Sequence, residues 1–361
     1  KSFMKVLQLI DSLNAGGAER VAVNYANALA SHVEKSFLCT TRAEGLLKQS
    51  LLKEVHYLFL NKKSILDFKA IRNLNRFVKT NDITIVHAHA SSFFIATIIK
   101  ILNPNLVLIW HDHYGKSAFL NERPRLALKL CSKLFTHVFT VNSKLEDWSK
   151  EVLNIKSVGF LPNFAVANNV KSTTTLKGED NKRIVCLSNL RPQKDHLNLI
   201  KAFKIVAKEK PEWSLHIAGH DFNDDYSLSI KNFVITNKLE HRVFMYGSCA
   251  DTHNILKQSS IGVLSSKSEG LPLALLEYGL AELPVIATNV GDCHKVISNP
   301  EEGILIEPKN HKVLAEALLT YINDLDLRIK VAQNLYLKVT STFSEANVME
   351  SLIKIYKVHQ K

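Results

Sequence analysis

The sequence predicts an α/β protein of two domains, each an open parallel sheet wrapped by helices, and three observations carry that expectation. At 361 residues the chain exceeds one ordinary domain. Short apolar, β-rich runs alternate with amphipathic stretches of about one helix each, the pattern of βα units. A polar stretch without apolar periodicity, "VANNVKSTTTLKGEDNK", separates two such series. The expected division is an N-terminal domain over residues 1–165, a linker over 166–181, a C-terminal domain over 182–340, and a terminal helical segment, 341–361, packing back on the first domain.

In the first series the strands are "MKVLQLI", "HYLFL", "ITIVHA", "LVLIWH" and "HVFTVN", and in the second "RIVCLS", "WSLHIAG", "RVFMYG", "IGVLSS" and "LPVIAT". The segments "NKKSILDFKAIRNLNRFVKTND" and "ERPRLALKLCSKLFTH" read as helices with basic stripes, Lys69, Arg72, Arg76 and Lys79 on one and Arg125, Lys129 and Lys133 on the other. Composition is that of a globular chain, 46% hydrophobic and 22% charged. Five scattered cysteines, Cys39, Cys131, Cys186, Cys249 and Cys293, never form a CxxC pair, which argues against a disulfide framework or a zinc site. The longest apolar runs stop short of a membrane span and no signal-peptide core opens the sequence, so a cytoplasmic protein is expected.

Charge is unevenly placed. Residues 1–165 hold 22 Lys and Arg against 12 Asp and Glu, whereas residues 166–361 hold 24 against 22. A basic first half suits an anionic surface, so contact with anionic membrane, peripheral on the inner face of the cytoplasmic membrane, is expected from it. A nucleic-acid partner would need a recognised module and interleaved aromatics; neither is found, so none is expected.

Ligands of open α/β sheets bind outside the carboxyl ends of the strands, and with two such domains the cleft between them is the expected site. In "LIDSLNAGGAER", Gly16 and Gly17 follow the first strand and permit close backbone approach at a helix start. The spacing is not GxGxxG, and the second strand ends in Thr41 and Arg42 rather than an acid, which excludes a nicotinamide dehydrogenase. In "IWHDHYGKS", His111, Asp112 and His113 end a strand, with Lys116 just beyond; they could ligate a metal, act as bases or form a polar loop, and a histidine lining the cleft is favoured. His87 and His89 in "VHAHASS" read as supporting residues. In "SNLRPQKDH", Arg191 and Lys194 lie one turn apart and could clamp a diphosphate, Arg as a fork and Lys as a point charge.

The most informative stretch is "SEGLPLALLEYGLAELPVIAT", 268–288. Glu269 precedes a helix start, Gly270, Leu271, Pro272 and Leu273 supply its first amides, and Glu277 lies about one and a half turns in. Sugar, diphosphate and ribose of a nucleoside diphosphate sugar would meet these groups in turn. Base contacts would come from "VFMYGS", with Tyr246 and Gly247.

Taken together, "GGAER", "LRPQKD", "LHIAG", "MYG" and the E-x7-E stretch with "LPVIAT" and Gly291 resemble the retaining glycosyltransferases of family 4, whose fold is GT-B, two facing Rossmann-like domains. The resemblance covers nearly the whole chain. It implies a nucleotide-sugar donor, of the UDP-sugar type, held mainly by the second domain, and a glycan or lipid-linked acceptor of cell-surface polysaccharide synthesis, lipopolysaccharide, capsule or O-antigen, held by the first. It implies a hexosyl- or N-acetylhexosaminyltransferase that retains anomeric configuration and requires neither a metal nor a cofactor. By motif, Gly16 and Gly17 would face the donor, His111 the anomeric centre, Arg191 and Lys194 the leaving diphosphate, and Glu269 and Glu277 the sugar and ribose. His113, Asp112, His89 and Lys116 are secondary candidates for contact with the acceptor or support of the site. Asn189 stands where the family often has Arg, "IAGHD" lacks a second Gly, and His113 competes with His111. A sugar-nucleotide epimerase on the same fold is the alternative reading.

Overall fold

The computed structural model describes residues 2–115, 119–167 and 170–360. The chain forms two compact units, 1–164 with 345–361, and 165–344. Unit 1 runs β1 Ser2–Ser12, α1 Gly17–His32, β2 Val33–Ala43, β3 Val55–Phe59, α2 Phe68–Thr80, β4 Ile85–His89, α3 Phe93–Leu102, β5 Val107–Asp112, α4 Leu126–Cys131, β6 His137–Thr140, α5 Ser143–Val152 and β7 Val158–Phe160. Unit 2 runs β8 Arg183–Leu187, α6 His196–Glu209, β9 Ser214–Ala218, α7 Asp225–Thr236, β10 Val243–Met245, α8 Thr252–Lys257, β11 Ile261–Leu264, α9 Leu273–Leu280, β12 Val285–Thr288, α10 Cys293–Val296, β13 Ile304–Ile306, α11 His311–Asn323 and α12 Leu325–Thr342. The final helix, α13 Glu345–His359, returns to unit 1.

Both sheets are parallel throughout, in the orders β3-β2-β1-β4-β5-β6-β7 and β10-β9-β8-β11-β12-β13. Burial on both faces explains the near-continuous apolar runs of β1, β4, β5 and β8. In unit 1, Leu7, Leu9, Val86, Ala88, Leu108 and Trp110 pack under α2 and α3, while Val6, Ile85, Val107 and Ile109 pack under α1 and α13. In unit 2, Ile184, Leu215, Ile217 and Val263 pack against Phe203 of α6 and Leu314, Leu318 and Tyr321 of α11. Each of these side chains contributes about 1.5–3 kcal/mol by leaving water.

Each sheet reverses its strand order once, between β1 and β4 in unit 1 and between β8 and β11 in unit 2. A crevice opens outside the carboxyl ends of such a pair, because the connections leave in opposite directions. The motifs lie in these two places.

The local reading needs several corrections. β7 and β13, edge strands of three residues each, carry too little pattern to register in the sequence. In "NKKSILDFKAIRNLNRFVKTND" only Phe68–Thr80 is helical, because Asp67 caps it by accepting from the Ala70 amide at 3.0 Å. In "ERPRLALKLCSKLFTH" the α-helix is the short α4, followed by a 3-10 turn over Ser132–Leu134. Part of the polar stretch between the series is pinned to unit 2, since the Asp251 carboxylate accepts from the Thr173 and Thr174 amides, both at 2.8 Å.

Candidate active site

In unit 2 the crevice between β8 and β11 is built by short polar loops. After β8 the chain makes a 3-10 turn over Pro192–Lys194 and passes through Asp195 at φ 51 before α6 begins. Arg191 and Lys194 therefore sit on a separate turn ahead of the helix rather than in its first turn. Gly219 follows β9 where any Cβ would lie 2.0 Å from the Ser188 carbonyl oxygen, so the two loops touch through backbone. Asn189 accepts from the His220 amide at 2.8 Å and so ties those loops together. The Arg191 guanidinium rests on the Phe222 ring, 4.1 Å from its centroid.

After β11, Ser265 donates to the Lys194 carbonyl at 3.0 Å, and the Lys267 amide to that of Gln193 at 2.7 Å. These bonds bring Lys194 Nζ to 2.6 Å from Glu269 Oε1, and the Ser266 hydroxyl donates to the same oxygen at 2.5 Å. Two groups 75 residues apart in sequence thus form one buried charge pair, with Glu269 5% exposed. Gly291, at φ +54, underpins this carboxylate: a Cβ there would stand 2.2 Å from the Glu269 carbonyl oxygen. The Asp292 amide donates to the Gly270 carbonyl at 3.0 Å, fixing the turn that opens α9.

Gly270, Leu271, Pro272 and Leu273 are buried at that start, and Pro272 precedes the helix as its cap residue at φ −74 and ψ 119, outside the first turn. Leu275, Leu276, Tyr278 and Gly279 face the core, whereas Glu277 shares a half-exposed face with Ala274 and Ala281. Its carboxylate is therefore not out of place among leucines. Tyr246 spends its hydroxyl on structure, 2.9 Å from His216 Nδ1 and accepting from the Lys177 amide at 3.1 Å, while Gly247 turns the chain at φ +65.

In unit 1, Gly16 precedes α1 and Gly17 opens it; a Cβ on Gly16 would meet the Glu19 carboxylate at 2.3 Å, and one on Gly17 would meet nothing. Gly45, which belongs to none of the motifs, packs its backbone on Leu13, with only 2.3 Å left for a Cβ. Asp11, at the end of β1, accepts from Thr41 of β2 and, at 2.6 Å, from Ser91 after β4.

Four histidines stack beneath α1 and α13. Ring centroids lie 4.6 Å apart for His87 and His89, 5.5 Å for His89 and His111, and 4.1 Å for His111 and His113. Gln8 Oε1 lies 2.7 Å from His89 Nε2, His113 Nε2 lies 2.9 Å from His89 Nδ1, and the Tyr356 hydroxyl of α13 lies 2.6 Å from His87 Nδ1. His111 is fully buried, and neither of its ring nitrogens has a hydrogen-bond partner among the described residues. Burial holds His87, His89 and His111 well below the usual imidazole range and pushes His113 down to about 3. His87, His89 and His111 present ligand atoms within 4.8 Å of one another, a spacing a metal ion could use, although both nitrogens of His89 are already engaged. Asp112 is committed elsewhere, to the Arg123 guanidinium at 2.6 and 2.8 Å. Lys116 lies outside the described residues.

Residues 15–165 match the family described as Glycosyltransferase Family 4, and residues 169–338 the one described as Glycosyl transferases group 1. An uncharacterized glycosyltransferase of Haemophilus influenzae is 25% identical over 355 residues, 95% of this chain and 96% of its own length. The UDP-Gal:alpha-D-GlcNAc-diphosphoundecaprenol alpha-1,3-galactosyltransferase of Escherichia coli is 25% identical over 319 residues, 81% of this chain and 80% of that one. In fold, HepE of Anabaena, solved with UDP and glucose, superposes with a TM-score of 0.80 at 18% identity, covering 98% of this chain and all of the other. No described helix is long and apolar enough to cross a membrane.

Proposed function

We propose, for a chain that belongs to the family 4 glycosyltransferases with the GT-B fold, that unit 2 holds the nucleoside diphosphate of a UDP-sugar and that the sugar passes to a diphosphate-linked lipid or glycan acceptor held by unit 1. The observation that carries this reading is the Lys194–Glu269 pair at the crevice between β8 and β11. Breaking the sugar–phosphate bond builds negative charge on the leaving diphosphate. Lys194, Arg191 and the amides opening α9 are positive groups fixed before that charge develops, so they stabilise it without reorganising. Glu269 takes sugar hydroxyls and Glu277 those of the ribose. Charge neutralisation by these residues removes the need for a metal ion. On this reading transfer proceeds with retention at the front face, the leaving phosphate helping to deprotonate the acceptor, because the motifs supply no carboxylate to act as a nucleophile on the opposite face of the sugar.

In unit 1, both ring nitrogens of His111 lack partners among the described residues, while His113 gives Nε2 to His89. We assign His111 to a substrate hydroxyl and His113 to the stack that orients it. The kinship with the Escherichia coli galactosyltransferase supports a lipid-diphosphate acceptor. The exposed basic residues of α2 and α4, with Leu126 and Leu130 standing out at 78% and 62% exposure, support docking on an anionic membrane.

The test is calorimetric titration with UDP, GDP, ADP and UDP-sugars in EDTA, on wild type and Glu277→Ala. Selective binding of uridine nucleotides, weakened tenfold or more in the variant, is expected. Equal binding of all three bases, or none, sinks the donor assignment, and an inverted anomeric centre in the product sinks the retaining mechanism.

A further inference from the structure

Among the described lysines and arginines, Lys62 and Arg183 are each 7% exposed. Arg183 spends its guanidinium on the carbonyls of Lys177, Gly178 and Gln258 and on Asp180. Lys62, the other, makes no hydrogen bond or ion pair through its ammonium among the described residues. Its stem is covered while its ammonium is not among the buried atoms without a partner and so meets water, and a cation held there with no protein partner calls for an explanation outside the resting contacts.

Its surroundings supply one. Lys62 follows β3, and its amide donates to the Thr41 carbonyl at 2.6 Å, which places it at the carboxyl end of the sheet beside the crevice between β1 and β4. The charged groups within electrostatic reach are Arg42, Asp11 and Asp67. Asp67 is occupied as the cap of α2, accepting from the Lys63 and Ala70 amides. Asp11 is occupied by the hydroxyls of Thr41 and Ser91, with Arg42 Nε only loosely placed at 3.8 Å. Arg42 keeps a side chain 45% exposed. The two carboxylates are engaged by hydroxyls and amides, whereas Lys62 has no side-chain partner among the described residues and Arg42 has only the loose contact with Asp11. Burial, followed by the nearby Arg42, lowers the Lys62 pKa against the opposing pull of Asp11 and Asp67.

We propose that Lys62 and Arg42 form a phosphate-binding subsite in unit 1, at the carboxyl ends of β2 and β3, for a phosphate ester or diphosphate. Arg supplies a planar fork and Lys a point charge, a combination that satisfies the several oxygens and multiple charge of a phosphate better than a single carboxylate. The inference deepens the reading of unit 1 as the acceptor unit and rests on it. The phosphate could belong to a lipid-linked acceptor or to a phospholipid headgroup, and the experiment separates these sources.

The full-length protein, saturated with UDP, is titrated calorimetrically with inorganic pyrophosphate and, separately, sedimented with phosphatidylglycerol vesicles, as wild type, Lys62→Met and Lys62→Arg. One further pyrophosphate should bind to wild type. Affinity should fall at least tenfold in Lys62→Met and recover in Lys62→Arg, with vesicle binding unchanged, which identifies the acceptor phosphate. Loss of vesicle binding together with pyrophosphate assigns the same subsite to a headgroup. Without ligand, Lys62→Met should melt no lower than wild type, because an unpartnered charge has been removed; a marked drop would mean the lysine has a structural partner and would overturn the proposal. So would pyrophosphate binding equal in wild type and Lys62→Met, or none in either. Failure of UDP itself to bind would instead count against the donor site, in unit 2.

Discussion

The charge pair between Lys194 and Glu269 permits a test in which stability and activity part company. The perturbation is Lys194→Met, which keeps the length of the side chain and removes its charge. At 2.6 Å and an effective dielectric constant of about 20, the Coulomb attraction is roughly 6 kcal/mol before desolvation is counted. Glu269, with its side chain 6% exposed, would lose the Lys194 countercharge while keeping the Ser266 hydroxyl. Removing one partner of a buried pair costs about 3–5 kcal/mol, and since the Lys194 side chain is 23% exposed the lower end applies, about 3 kcal/mol. Glu269→Gln alone should cost less, about 1 kcal/mol, because the ammonium can turn to water. In the double variant no charge is stranded, so stability should return to within about 1 kcal/mol of wild type. Urea unfolding followed by circular dichroism measures the four proteins, and the cycle should give a coupling above about 1.5 kcal/mol. Sugar transfer should remain at least a hundredfold down in both the single Lys194→Met variant and the stable double variant, because the charge aimed at the leaving group is still gone. A Lys194→Met protein within 0.5 kcal/mol of wild type, or a coupling near zero, would refute the reasoning.

Three further outcomes are expected. Gly291→Ala places a Cβ 2.2 Å from the Glu269 carbonyl at φ +54, so unfolding should cost at least about 3 kcal/mol less and UDP affinity should drop with it; an unchanged melting temperature contradicts this. Tyr356→Phe strips the hydroxyl from His87 Nδ1 and Gln8, and should lower stability by about 1–3 kcal/mol while leaving UDP affinity alone, a pairing that urea titration and calorimetry check. Acid should destabilise the fold early. An unfolded imidazole takes up its proton near 6.5, whereas burial holds His87, His89 and His111 far lower, His113 to about 3 and His137 to about 4. The unfolded chain thus binds more protons below about pH 6.5, so stability is complete above that pH and declines as it falls toward 4. Each such group contributes a slope of about 1.4 kcal/mol per pH unit, and a stability profile flat between pH 6.5 and 5 would be incompatible with neutral buried histidines.

The fold class, and the helix that the E-x7-E stretch opens, could be read from the chain alone. Apolar runs of β1, β4, β5 and β8 and the amphipathic stretches between them are local patterns, set by residues within a few positions of one another. The E-x7-E stretch was legible for the same reason: a glutamate at a helix start and another on its first turns have their geometry fixed by the helix itself. Everything that depended on a partner far along the chain was not. Lys194 and Glu269 read as separate contacts, and only the packing of the loop after β11 on that after β8 makes them one ion pair. The half-exposed face that Glu277 shares was not legible either, because sequence order does not say which side of a helix the core will cover. Lys62 is one of several lysines in a stretch that reads as a helix with a basic stripe, and Tyr356 lies 269 residues from the histidine it supports. Burial and charge pairing are properties of the closed surface. Backbone periodicity fixes where each strand ends, while the tertiary packing of loops from different strands decides which charges are sheltered from water there and whether they face a partner or wait for one.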